Sequence, residues 1–270
     1  MKKSAFFLTA IFTFLFLFVP DSFSQSYKPA RPYSDPKLLQ DFMCSEVVYP
    51  EQDLSKGVEG KVVISFIVEQ DGSVRNVKVK EKVSPELDAE ALRLFRMVLW
   101  EPAVSFGQPV ASENEFPVDF NIKKYNKHCK ARGYGVTEYP FQPVDTTNTV
   151  YEPARIDKKP VPVFDEKGMS LEKFIAKNIK YPETAYRQSI SGKVKLRFVV
   201  EPQGRVSNIQ VLNSVGGGCN QEAIRLLQMI RWMPGIKSQA AVRTFMNLEI
   251  EFKLPEESDM QMFDGQLDSN

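Results

Sequence analysis

The chain has 270 residues, 43% of them hydrophobic and 26% charged, a balance that suits a globular protein and excludes a wholly disordered or many-span membrane chain. Lys and Arg number 35 against 34 Asp and Glu, a net charge of +1, so no global field recruits nucleic acid, and none is expected as a partner. The single histidine, His128, removes most catalytic triads and two-histidine zinc sites, and Cys44, Cys129 and Cys219 lie too far apart to spell a metal motif or a disulfide framework. No catalytic residue, metal or cofactor is predicted, and the chain reads as a non-enzyme.

Residues 1–24 read as a secretory signal peptide. Lys2 and Lys3 precede an apolar run from Ala5 to Val19, Pro20 breaks it, and Ser22-Phe23-Ser24 puts small residues where cleavage needs them. The run is about 15 residues, shorter than the roughly 20 that span a bilayer as a helix, so a retained inner-membrane anchor is the minority alternative. A short segment, 25–35, follows.

The next feature is a repeat. Tyr49-Pro50-Glu51 recurs 132 residues later as Tyr181-Pro182-Glu183, and the same offset aligns the chain without a gap to Ile122 and Leu254. Gly60 falls on Gly192, Gly72 on Gly204, and Trp100 with Pro102 on Trp232 with Pro234; upstream, Leu39, Phe42 and Met43 fall on Leu171, Phe174 and Ile175. A unit of about 85 residues is too long for a solenoid repeat and long enough to hold its own core. Two tandem domains are therefore expected, at 36–122 and 168–254. Lys123 to Lys167 between them, rich in proline and without sustained period, is expected to be an extended tether.

Within each unit the periodicity predicts helix, strand, strand, helix, strand. In the second, Leu171, Phe174, Ile175 and Ile179 mark a helix that ends before Pro182. Val194, Leu196, Phe198 and Val200 alternate with cations as a half-buried strand, Pro202-Gln203-Gly204 turns, and Ile209 and Val211 return antiparallel. Gln221 to Arg231 is helical, closed by Trp232 and Pro234, and Met246 to Leu254 alternates as the final strand. The fold class is α+β, with two helices on one face of a small antiparallel sheet in each copy. The acidic tail, 255–270, is expected to be disordered.

Tyr-Pro, Gly-Lys-Val-x-x-x-Phe-x-Val-Glu, a turn glycine, Val-x-Asn, a helix and Trp-x-Pro before an alternating strand resemble the C-terminal domain of TonB, the energy transducer of Gram-negative bacteria. Tyr49, Pro50, Gly60, Gly72, Trp100 and Pro102 carry the pattern in the first unit, and Tyr181, Pro182, Gly192, Gly204, Trp232 and Pro234 in the second. The resemblance implies a periplasmic protein for transmembrane transport. Such a domain captures the TonB box of an outer-membrane TonB-dependent receptor as an added strand beside its last strand.

That strand is expected at a sheet edge, with unpaired backbone donors and acceptors. Its residues in the second unit, Met246, Asn247, Leu248, Glu249, Ile250, Glu251, Phe252 and Lys253, contain no proline and are the expected docking edge. The first unit carries Pro117 there, which has no N–H to give, so it is expected to bind more weakly or to serve structurally. A full transducer would also engage the ExbB/ExbD motor through a retained N-terminal helix; with a cleavable segment, a soluble adaptor fits better. An envelope scaffold that reuses the domain for other protein partners is the alternative.

Other features have plain readings. His128-Cys129 lies in a lysine-rich stretch expected to be solvated linker. Glu90 and Glu222 hold equivalent positions and read as solvated helix-face charges. Gly216-Gly217-Gly218 lacks the Gly-Lys-Ser/Thr ending of a phosphate loop, and Lys193, Lys195 and Arg197 read as an ordinary wet strand face.

Overall fold

A computed structural model describes residues 27–132 and 143–254, so the expected signal peptide and acidic tail lie outside the described residues. The first unit runs β1 (Tyr27–Lys28), β2 (Arg31–Pro32), α1 (Pro36–Glu46), α2 (Glu51–Lys56), β3 (Gly60–Val68), β4 (Val74–Glu81), α3 (Pro85–Phe95), β5 (Trp100–Glu101), β6 (Ala103–Ser105), β7 (Gln108–Val110), β8 (Ser112–Phe120) and α4 (Ile122–Arg132). The second runs β9 (Val150–Tyr151), β10 (Val161–Val163), α5 (Leu171–Asn178), α6 (Glu183–Arg187), β11 (Gly192–Val200), β12 (Val206–Asn213), α7 (Cys219–Met229), β13 (Arg231–Met233), β14 (Gly235–Lys237) and β15 (Ala240–Phe252).

Both units are the expected α+β assembly, and the repeat is visible in the core. Strands order β4-β3-β8 in one and β12-β11-β15 in the other, all antiparallel. The registers correspond, Gly60 opposite Phe120 and Gly192 opposite Phe252. Val62, Ile64, Phe66 and Val68 point inward from β3, as Val194, Leu196, Phe198 and Val200 do from β11, and Ala91 and Leu94 of α3 or Ala223 and Leu226 of α7 pack on them. Local chemistry starts the helices: Asp35 accepts from Lys37 and Leu38 N–H ahead of Pro36, and Ser84 accepts from Leu87 N–H ahead of Pro85.

Four features depart from expectation. The helix expected to reach Arg231 stops at Met229, because Arg231–Met233 pairs antiparallel with β10, Val161 opposite Met233 and Val163 opposite Arg231. Residues 143–167 are not a free tether, since β9 joins β15 in parallel and Lys158 bridges Ile236. His128 and Cys129 belong to α4, whose Ile122, Tyr125 and Cys129, spaced by three and four, pack on the first core. Glu90 and Glu222 are buried, not solvated. Each accepts a backbone N–H from the segment after the first helix, Val48 at 2.8 Å and Lys180 at 2.6 Å, and grips Arg93 or Arg225, which donates on to the Glu46 or Asn178 carbonyl at 2.7 Å. These residues tie α3 or α7 to the chain leaving α1 or α5, and the bond to Glu222 raises the Arg225 pKa.

The units also meet each other. Asn208, on a left-handed bulge of β12 (φ 48°), donates to the Met97 carbonyl at 3.0 Å and accepts from Leu99 N–H at 2.8 Å. Its carboxamide thus matches the carbonyl and amide of residues two apart in an extended segment. Arg243 pairs in a fork with Glu201 at 2.8 and 2.9 Å and also donates to the Met97 carbonyl at 2.8 Å, with both side chains almost wholly buried. Ser34 Oγ accepts from Ile209 N–H, and Gln203 and Arg205 of the second unit reach Glu46 of the first.

Glu46 is 1% exposed, and its Oε2 has no hydrogen-bond partner among the described residues. Burial pushes its pKa above the ordinary 4.5 and Glu201 adds to the rise, while Arg205, the Gln203 hydrogen bond and Arg93 oppose it. A carboxyl whose pKa rises on folding costs nothing below its ordinary value, and it costs stability as pH climbs through the raised one. Glu46→Gln is therefore expected to raise the melting temperature at neutral pH and to leave it unchanged under acid conditions where Glu46 is protonated in both states. A pH series of thermal melts checks this, and an equal shift at every pH would refute the titration of Glu46 as its cause.

Candidate functional site

The last strand of each unit presents an outer edge, as β4 and β12 do on the far side of each sheet. β15 pairs with β11 from Thr244 to Phe252, and its opposite side is taken first by its own chain: Val144 bridges Ala241, and Val150 and Tyr151 lie opposite Arg243 and Thr244 in parallel. Ala241 donates to the Pro143 carbonyl at 2.8 Å and accepts from Asp145 N–H at 2.9 Å. Beyond Thr244, from Phe245 to Phe252, no strand among the described residues covers that side.

The expected docking run falls on this stretch. Leu248, Ile250 and Phe252 are buried in the second core with Met246 packed against it, while Asn247, Glu249, Glu251 and Lys253 are exposed. Their charges are partly matched on the sheet surface: Lys193 meets Glu249 at 2.9 Å, which raises the lysine pKa, and Lys253 meets Glu251 at 3.1 Å. Lys195 is exposed as expected, whereas Arg197 is half-buried, bonded to Glu152 and stacked 4.2 Å over the Phe245 ring.

The motif residues mostly hold the fold. Trp100 and Trp232 are buried, the Tyr49 hydroxyl donates to the Val58 carbonyl, and that of Tyr181 donates to Ile190 at 2.6 Å. Pro50 and Pro182 open α2 and α6, two short helices that the hydrophobic period did not reveal. Gly72 and Gly204 sit at positive φ with the Trp100 or Trp232 carbonyl directly over them, which is why the turn glycine and the tryptophan occur together.

The first unit offers the second edge. β8 pairs only with β3 among the described residues, and beside residues 116–121 lies a groove of about 280 Å³ walled by Leu39, Met43 and Val47 on one side and by Tyr125 and His128 of α4 on the other. This groove was not apparent from sequence, because α4 carries five basic side chains and reads as a solvated run; only the spacing of Ile122, Tyr125 and Cys129 signals its buried face. No cluster of three or more metal-ligating side chains occurs among the described residues.

Comparison with known proteins gives a consistent assignment. A family profile described as Gram-negative bacterial TonB protein C-terminal matches residues 45–122 and 177–254, more than half of the chain. Protein TonB of Pseudomonas aeruginosa is 32% identical over 78 residues, 28% of this chain and 23% of that protein, so the chain spans about a quarter of that relative's length. Among solved structures, the Helicobacter pylori TonB C-terminal domain (residues 194–285 of that protein) is 25% identical with a TM-score of 0.26, over 33% of this chain and 98% of its own. The Pseudomonas aeruginosa domain is 24% identical with a TM-score of 0.28, over 37% and 92%. With the motif, the register and the buried positions occurring twice, the chain belongs to the TonB C-terminal family and carries two tandem copies of its domain.

Proposed function

We propose that this chain is a periplasmic protein of the Gram-negative envelope that captures short peptide segments, of the TonB-box type, by strand addition in energy-coupled transport across the outer membrane. The observation that carries this reading is the outer side of β15. It accepts the chain's own residues 143–151 along Ala241–Thr244 and has no strand partner among the described residues from Phe245 to Phe252. A peptide continuing from that point gains four or five backbone hydrogen bonds at about 0.5–1.5 kcal/mol each, against association costs of similar size, so binding is transient and draws on side-chain pockets or avidity. No helix among the described residues is long and apolar enough to cross a membrane; engagement of the ExbB/ExbD motor would fall to residues 1–26, outside the described part. A second reading has its own support, since the groove beside β8 supplies a side-chain pocket next to an open edge.

Glu249 is the repeat equivalent of Pro117, and the two lie opposite Lys195 and Val63 in matching registers. Because β8 accommodates a proline there, the N–H at this position points away from the neighbouring strand. Glu249→Pro is therefore expected to keep the fold and its melting temperature while weakening a fluorescent TonB-box peptide at least tenfold. Unchanged affinity, with loss instead on Met43→Glu in the groove wall, would move the site to the first unit. Unchanged affinity in both variants, or no binding by the native chain, would favour an envelope scaffold with other partners.

A further inference from the structure

Duplication lets each surface of one unit be compared with its counterpart in the other, and two pairs differ sharply. Met97, held in the contact between units, is 5% exposed, whereas its counterpart Met229 is 45% exposed, although each sulfur takes the same guanidinium contact, from Arg93 or Arg225. Asn208 is 5% exposed and its carboxamide is fully bonded, whereas Asn76 sits on the same left-handed bulge (φ 55°) with an exposed carboxamide that has no hydrogen-bond partner among the described residues. The bulges are equivalent in register. Arg197 and Val199 face Gln210 and Ser207 across three steps of β12, and Ser65 and Ile67 face Lys78 and Arg75 across three steps of β4. Asn76 opens on a surface cavity of about 390 Å³ lined also by Ser65, Ile67 and Glu113.

Within the chain, then, the connection after α3 inserts against the bulge of β12, and each unit keeps the half of that contact its neighbour has used. The first unit retains an open bulge face at Asn76; the second retains an open connection after α7, at Met229. We propose that these two faces join copies of the chain head to tail, with the Met229 connection of one molecule against the Asn76 face of the next. Asn76 donates to the Met229 carbonyl as Asn208 does to that of Met97; the second bond is not reproduced, because Arg231, the counterpart of Leu99, is already paired with Val163 of β10. Such a contact is heterologous and does not close on itself, so it builds a series of species and not a symmetric dimer. It is also weaker than the contact within the chain. Arg243 has Ala111 as its counterpart and Ser207 has Arg75, so the buried ion pair is not reproduced, and no tether raises the local concentration.

Sedimentation velocity of the purified chain over about a hundredfold range of concentration tests this. The weight-average mass is expected to rise without a plateau at the dimer, and Asn76→Ala or Met229→Lys is expected to move half-association to at least about tenfold higher concentration. Both positions are exposed, so matching circular dichroism and melting temperatures verify folding. The two variants retain opposite working faces, so an equimolar mixture should recover a dimer and nothing larger. A chain that stays monomeric throughout, association that neither substitution weakens, or a mixture that fails to pair would overturn the proposal.

Discussion

Arg243→Ala is expected to destabilise the second unit by about 3–5 kcal/mol, the cost of leaving a buried carboxylate without its partner. Glu201 has no exposed surface, accepts both guanidinium bonds and also bonds the Ser207 hydroxyl, so its charge cannot reach water when Arg243 is removed. The same substitution removes a donor to the Met97 carbonyl, so the contact between units weakens with the fold. Urea denaturation followed by circular dichroism is expected to show a shifted transition with an earlier phase for the second unit. Replacing both charges, Arg243→Met with Glu201→Leu, should recover much of the loss, because no unpaired charge is then buried. A loss as large in the double variant would mean that the bonds to Met97 and Ser207 outweigh the ion pair.

Gly204→Ala is the second large effect, at about 3 kcal/mol or more. The glycine has φ +84°, and a Cβ there would stand 2.2 Å from the Trp232 carbonyl oxygen, a backbone atom that cannot rotate away. Trp232 N–H in turn donates to the Gly204 carbonyl at 3.1 Å, so the hairpin turn and the strand after α7 are locked face to face. Gly216 is a natural control, with φ +88° and nothing within 4 Å of its Cβ position. Gly216→Ala should cost only the conformational strain, about 1–2 kcal/mol. Equal losses in the two variants, measured by urea denaturation, would show that strain and not the Trp232 carbonyl sets the requirement.

Much of each unit was legible because its elements bury one face. The alternation of Val194, Leu196, Phe198 and Val200 and the helical spacing of Ala223, Leu226 and Leu227 report burial directly, and a repeat in register doubled the signal. Where burial depends on a partner far along the chain, local pattern was silent or misleading. Glu90 and Glu222 look like surface charges until the segment after the preceding helix supplies backbone donors. The proline-rich stretch from Pro143 to Val163 has no period of its own, because most of its bonds are backbone bonds to strands β13, β14 and β15, which do not select side chains. The last strand of each unit was identified, and Pro117 marked a difference between their edges, but what flanks each edge was not legible. One is begun by residues 143–151, the other lies beside a groove closed by α4.

By itself the amino-acid sequence determined that this protein is one domain made twice, the two main helices and three long strands of each copy, and which family they resemble. Those properties follow from periodicity and from glycine, proline and tryptophan at fixed spacing, all of them local constraints. Only the tertiary structure decided how two nearly equal copies become unequal. Asn208 and Met97 are buried while Asn76 and Met229 are not, and Arg243 and Glu201 form an ion pair where the first unit has Ala111 and Glu69. Equivalent residues differ because the contact between units is one-sided, each copy offering a different face to the other. A one-sided contact leaves no mark in the pattern of either copy taken alone.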